Sequence, residues 1–130
     1  MDDSGFGLHK VGQIFMPATE LARAVRFYRE TLGMEFLFEV PRMAFFALDG
    51  VRLMLGERED GSEHPGSILY YKVPDIVEAH RVLGARGVTF ELDPTLIADM
   101  EDHELWMAFF IDSEGNQLAL MSEIPKAQTT

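Results

Sequence analysis

Four residues occur twice, letter for letter and 64 positions apart: Met43-Ala44-Phe45-Phe46 and Met107-Ala108-Phe109-Phe110. A repeat at this spacing constrains architecture strongly, because two copies of one supersecondary unit must bury equivalent faces. Each copy runs into a turn rich in Asp and Gly, Leu48-Asp49-Gly50 in the first and Asp112-Ser113-Glu114-Gly115-Asn116 in the second. Each turn is followed by an alternating stretch, Val51-Arg52-Leu53-Met54-Leu55 and Gln117-Leu118-Ala119-Leu120-Met121. Both copies therefore read as β-hairpins.

A helix precedes each hairpin. In the first half Leu21, Ala24, Val25, Tyr28 and Leu32 keep helical spacing, with Thr19 as N-cap and Gly33 as the stop. In the second half Ile76, Ala79, Val82 and Leu83 form the stripe, from Pro74-Asp75 to Gly87. Strands are expected before the helices, at 11–16 and 67–73, and after them, at 35–40 and 88–91. Each half thus reads βαβββ, an α+β chain. The helices are 55 residues apart and the hairpins 64, so the second half carries about nine extra residues, placed within 92–103. That insertion reads as a loop, either a pocket wall or lid, or a cover for an exposed sheet edge.

At 130 residues the chain is expected to form a single domain over 1–130, with module one at about 9–57 and module two at about 66–123. It has no cysteine, which removes disulfides, thiolate nucleophiles and cysteine zinc sites. A formal net charge of -11 disfavours nucleic acid and anionic membrane surfaces. The first residues lack a secretory pattern and no run reaches transmembrane length, so a cytoplasmic location is expected.

The segment Glu20-Leu21-Ala22-Arg23-Ala24-Val25-Arg26-Phe27-Tyr28-Arg29-Glu30-Thr31-Leu32-Gly33 resembles the first module of vicinal oxygen chelate proteins, the glyoxalase/bleomycin resistance protein/dioxygenase superfamily. Phe110-Ile111-Asp112-Ser113-Glu114-Gly115-Asn116-Gln117-Leu118 resembles their closing hairpin, and the likeness extends over roughly residues 9–123. The resemblance implies an incomplete eight-stranded barrel-like sheet around a concave pocket, and a homodimer. In that family a divalent metal is held by His or Gln on the first strand of each module and Glu on the last. The matching positions here are Gln13, Ile68, Met54 and Ala119. Three of them are apolar, and one amide cannot offset the dehydration of a divalent ion. No metal and no other cofactor is therefore expected.

If Gln13 and its counterparts line the pocket, strand alternation adds Phe15, Arg52, Tyr70, Lys72, Gln117 and Met121. An apolar, aromatic lining with a few polar groups suits a small organic ligand. Arg52 and Lys72 can hold an anionic group, or simply reach solvent. Trp106 and the paired Phe residues of the repeat are more often core than ligand platform, and Trp106 is kept as a further ligand-binding candidate. Among His9, His64, His80 and His103, the last is the best catalytic candidate, because carboxylates surround it in Asp99, Glu101, Asp102 and Glu104. A solvated acidic turn is the plain alternative. The leading expectation is a metal-independent small-molecule-binding protein that sequesters or senses its ligand. The alternative is a lyase, isomerase or dioxygenase-like enzyme using acid/base residues or an unidentified divalent metal.

Overall fold

The computed structural model describes residues 11–57 and 67–126. Chain order is β1 (Gln13–Ala18), α1 (Leu21–Arg26) widening into a π-helical turn (Phe27–Thr31), β2 (Glu35–Val40), β3 (Met43–Leu48) and β4 (Val51–Glu57). The second module follows with β5 (Leu69–Lys72), α2 (Ile76–Ala85), β6 (Phe90–Asp99), β7 (His103–Ile111) and β8 (Gln117–Pro125). The strands form two four-stranded sheets in matching orders, β1-β4-β3-β2 and β5-β8-β7-β6. The first strand of each module lies parallel to its last, and the other pairings are antiparallel. This is the expected α+β duplication, with neither sheet closed into a barrel.

The repeated tetrapeptide shows why the halves fold alike. Ala44, Phe46, Ala108 and Phe110 are all buried under the helices, while Phe45 and Phe109 point to the opposite faces and are only half-buried. One apolar cluster joins the helix-facing sides of both modules, including Met16, Tyr28 and Leu53 from the first and Ile76, Leu118 and Leu120 from the second. Gly33 and Gly87 end the helical segments with φ of 71° and 95°, a left-handed conformation that glycine adopts without a Cβ penalty.

Three local expectations change. The N-cap of the first helix is Glu20 rather than Thr19, and its side chain makes no capping bond. Asp75 does cap α2, accepting from the Glu78 N–H at 3.1 Å. The first helix is not continuous to Leu32, since its last turn is π-helical. The insertion at 92–103 is not a loop: it prolongs β6 and β7 into a long hairpin closed by the Met100 N–H donating to the His103 carbonyl at 2.9 Å. Register shifts flank Pro94 in β6, and β6 is an edge strand, where a residue without an N–H is tolerated.

The modules are locked together at one seam. The buried Tyr28 hydroxyl donates to Asp112 Oδ2 at 2.6 Å, and Asn116 Nδ2 donates to the Pro17 carbonyl at 2.8 Å. Glu114 accepts from the Glu20 N–H at 2.7 Å and from Arg23 Nε at 2.8 Å. A glutamate of the second module thus supplies to α1 what a capping-box glutamate normally supplies from within the helix. Burial first, then the Asp112 charge, push the Tyr28 phenol far above its ordinary pKa, so it serves as a fixed donor.

Candidate functional site

Each sheet buries one face under a helix and leaves the other free, and strand alternation sorts most of the candidate residues onto the free faces. On the first sheet Gln13, Phe15, Arg52 and Met54 fall on the free face through the register Gln13 with Arg52 and Phe15 with Met54. Gln13 Nε2 lies 3.8 Å from Met54 Sδ, so these two positions converge. Arg52 sits over the Phe45 ring at 5.3 Å, and Phe45 stacks on Phe38 at 4.5 Å, giving a cationic and aromatic platform. Phe15 leans over Gly56, where a Cβ would stand 2.7 Å from its ring. Gly56 therefore provides the room that lets Phe15 lie along the sheet.

On the second sheet Tyr70 pairs with Ala119 and Lys72 with Met121. Tyr70 meets Phe109 edge-on at 6.1 Å, and Ala119 is fully buried beneath them. Ile68 lies just ahead of β5, in phase with Tyr70. At one end of this face stands a polar chain: Lys72 Nζ is 2.7 Å from Glu123 Oε1, and Glu123 Oε2 is 3.2 Å from His103 Nε2. His103 Nδ1 is in turn 2.6 Å from Asp102 Oδ1. The hydrogen bond from His103 holds the Asp102 carboxyl below its usual range, and Lys72 does the same for Glu123. The imidazole can donate to both carboxylates only as the cation.

Three placements depart from expectation. Trp106 lies on the helix-facing side, packed against the core cluster with its indole N–H donating to Glu104 Oε1 at 3.1 Å. Its alternation with Ala108 and Phe110 sets that direction. Gln117 is spent on Glu91, donating at 3.0 Å. The candidates also do not line one enclosed pocket: Phe15 is 52% exposed and Tyr70 45%, so the faces are open in the single chain. A cleft of about 780 Å³ opens elsewhere, between the modules, and of the candidate pocket residues only Tyr70 and Lys72 border it.

Sequence does not single out Glu123 or Phe38, and it reads Phe45 and Phe109, each one of a Phe pair, as core before ligand platform. The hairpin register would have found the phenylalanines, since Phe45 pairs with Met54 and Phe109 with Ala119. Glu123 needed the full length of β8, which runs to Pro125. His80 has a structural role, 3.0 Å from Asp93 and with its ring against Phe90. His9 and His64 lie outside the described residues.

Two βαβββ modules, each presenting a helix-free face, define the fold class, and comparison with known proteins agrees. A family model for the glyoxalase/bleomycin resistance protein/dioxygenase superfamily matches residues 10–120, and the chain belongs to that superfamily. It is similar to a superfamily member from Sphaerobacter thermophilus DSM 20745 at 28% identity, covering 89% of this chain and 98% of that one, with a TM-score of 0.75. It also resembles a lactoylglutathione lyase from Agrobacterium tumefaciens at 18% identity, covering 89% and 95% with a TM-score of 0.73. A glyoxalase/bleomycin resistance protein/dioxygenase from Nocardioides matches at 21% identity over 96% and 92%, with a TM-score of 0.71. No curated protein matches the chain.

The metal that this superfamily implies does not fit the residues in its place. Gln13 offers one amide oxygen, its nearest companion is the Met54 thioether, and the other two positions carry the side chains of Ile68 and Ala119. This set has no carboxylate or imidazole for a divalent ion. Among the described residues no group of three or more His, Asp or Glu side chains is arranged to hold one.

Proposed function

We propose that this superfamily member captures a small organic molecule without a metal, on its helix-free faces, as a homodimer in the cytoplasm. The aromatic platform of Phe15, Phe38 and Phe45 with Arg52 carries this reading, because it offers stacking surface and one cation for an aromatic ligand with an anionic group. Large apolar side chains exposed on the same face, Phe15, Phe38 and Met43, favour a second copy covering it. No helix among the described residues is long and apolar enough to cross a membrane.

Native mass spectrometry with elemental analysis of untagged full chain, purified without chelator, tests this directly. A metal-free dimer carrying an organic adduct is expected, and a stoichiometric divalent metal would refute metal independence. Phe15→Ser is expected to reduce adduct occupancy about tenfold, the loss of roughly one stacking contact. An unchanged adduct on that variant would move the ligand off this face.

The Lys72, Glu123, His103, Asp102 chain supports a second reading, an enzyme that moves a proton through His103. Breakdown of lactoylglutathione, the compound that names the Agrobacterium relative, serves as the assay. On this reading, turnover falls about 100-fold in His103→Gln and comparably in Glu123→Gln. Equal rates in the variants and the parent would leave binding as the function.

A further inference from the structure

The duplication creates two equivalent seams between the modules, and only one is filled. At the first, Tyr28, Asp112 and Asn116 occupy the space with hydrogen bonds, and Glu114 holds Arg23 beside them. The helix offset of 55 carries Tyr28 onto Leu83, and the hairpin offset of 64 carries Asp112 onto Leu48 and Glu114 onto Gly50. The lock is thereby lost at the second seam, where Leu48 and Leu83 border the cleft of about 780 Å³. Arg86 Nη1 reaches across this seam and donates to the Thr31 carbonyl at 2.9 Å.

Leu83, Phe110 and Leu120 form a buried, apolar inner wall, while the charged side chains of the lining are all exposed and so stand at the rim. Lys72 lies beside Tyr70, where the cleft runs out onto the helix-free face of the second sheet, and is committed to Glu123 at 2.7 Å. Arg86, Glu35 and Asp49 take part in none of the ion pairs among the described residues. A Cβ on Gly33 would stand 3.7 Å from Arg86 Nη1, and Glu35 follows two residues later, within about 7 Å of extended chain. The pairing of Glu35 with Ala47 brings Asp49 to the same end of the β2–β3 hairpin. One cation and two carboxylates thus border the same apolar cleft, close together yet not paired with each other. An apolar cavity with a few convergent polar groups has the make-up of a small-molecule site.

We infer that this cleft binds an amphipathic zwitterion of dipeptide size, its apolar side chains on the inner wall, its carboxylate on Arg86 and its ammonium against Glu35 and Asp49. The bond to Thr31 fixes the guanidinium and leaves further N–H donors for a carboxylate, which arginine meets with two parallel hydrogen bonds. Charge selects the zwitterion. A simple anion would meet the two rim carboxylates and a simple cation would meet Arg86, whereas a ligand carrying both charges satisfies the whole rim. A dipeptide also separates its termini by two residues of backbone, the same span as the step from Gly33 to Glu35. The cleft does not include the Phe15, Phe38, Phe45 and Arg52 platform, so this site goes beyond the function proposed for that face.

Calorimetric titration of the full chain with L-leucyl-L-phenylalanine, its N-acetyl form and its C-terminal amide tests this, since the three share one apolar body and differ in charge. The free dipeptide is expected to bind saturably, one per chain, and both blocked forms about tenfold more weakly. Arg86→Gln is expected to weaken the free dipeptide about tenfold while leaving the amide unchanged. Glu35→Gln, with Asp49 still in place, is expected to weaken it about threefold while leaving the N-acetyl form unchanged. Both side chains are exposed; if losing the Thr31 bond loosens Arg86→Gln by circular dichroism, Glu35→Gln decides alone. Absence of saturable binding overturns the inference, as does equal affinity for the three forms or an affinity unchanged in both variants. Phe15→Ser is expected to leave dipeptide binding intact. A loss there instead would overturn the inference and assign the dipeptide to the aromatic platform, while failure of the cleft alone leaves capture on that platform standing.

Discussion

Replacing Asp112 with alanine is expected to lower stability by about 3 kcal/mol, roughly 10 °C in thermal midpoint for a chain of this size. Asp112 is 6% exposed and accepts from four donors: the Tyr28 hydroxyl, the Glu114 and Asn116 N–H groups, and the Asn116 side chain. Truncation leaves the fully buried Tyr28 hydroxyl without its acceptor and releases the turn that holds Asn116 against Pro17. Tyr28→Phe removes one donor and no charge, so about 1–2 kcal/mol is expected for it. Once Tyr28 is Phe, the Asp112→Ala cost should shrink, and denaturant titration of the double-mutant cycle measures the coupling. Additive effects in that cycle, or an Asp112→Ala loss below about 1 kcal/mol, would show that the seam does not hold the modules together.

The repeated Met-Ala-Phe-Phe made the duplication legible, because burial of one hairpin face imposes the same alternation twice. Helix stripes were equally readable, and Asp75 capped where its chemistry indicated. The errors have a common cause in contacts distant along the chain. Glu20 displaces Thr19 as cap because its N–H is taken by Glu114, 94 residues away, which local sequence does not reveal. The insertion looked like a loop from Pro94 and its acidic run, yet pairing with β7 draws it into an edge strand with register shifts. Alternation placed Phe15, Arg52 and Tyr70 on free faces correctly. It could not reveal Glu123 beside His103, a contact set by the β7–β8 register of His103 with Pro125 and Leu105 with Glu123.

Glu114 should make the fold sensitive to acid. Its side chain is 1% exposed and receives Arg23, the Glu20 N–H and the Ser113 hydroxyl. Burial works to raise its pKa, but those partners, Arg23 foremost, outweigh it and hold the carboxyl below the usual range. With the folded pKa depressed, the unfolded chain takes up this proton first as pH falls. The stabilisation is therefore fully present above the unfolded value of about 4.3 and disappears as pH drops through the lower folded value. Glu114→Gln keeps the shape and one acceptor for the Glu20 N–H but removes the charge. It is expected to cost about 2 kcal/mol at neutral pH and to flatten the loss of stability between about pH 5 and pH 3. The remaining slope belongs to other depressed carboxyls such as Asp102 and Glu123, which are more exposed and hence screened by salt. Denaturant midpoints across this range at low and high salt separate the two contributions: the part lost in Glu114→Gln should persist in high salt. An acid limb identical in parent and variant would mean that Arg23 does not hold Glu114 ionised, and that the glutamate acts at the head of α1 only as a hydrogen-bond acceptor.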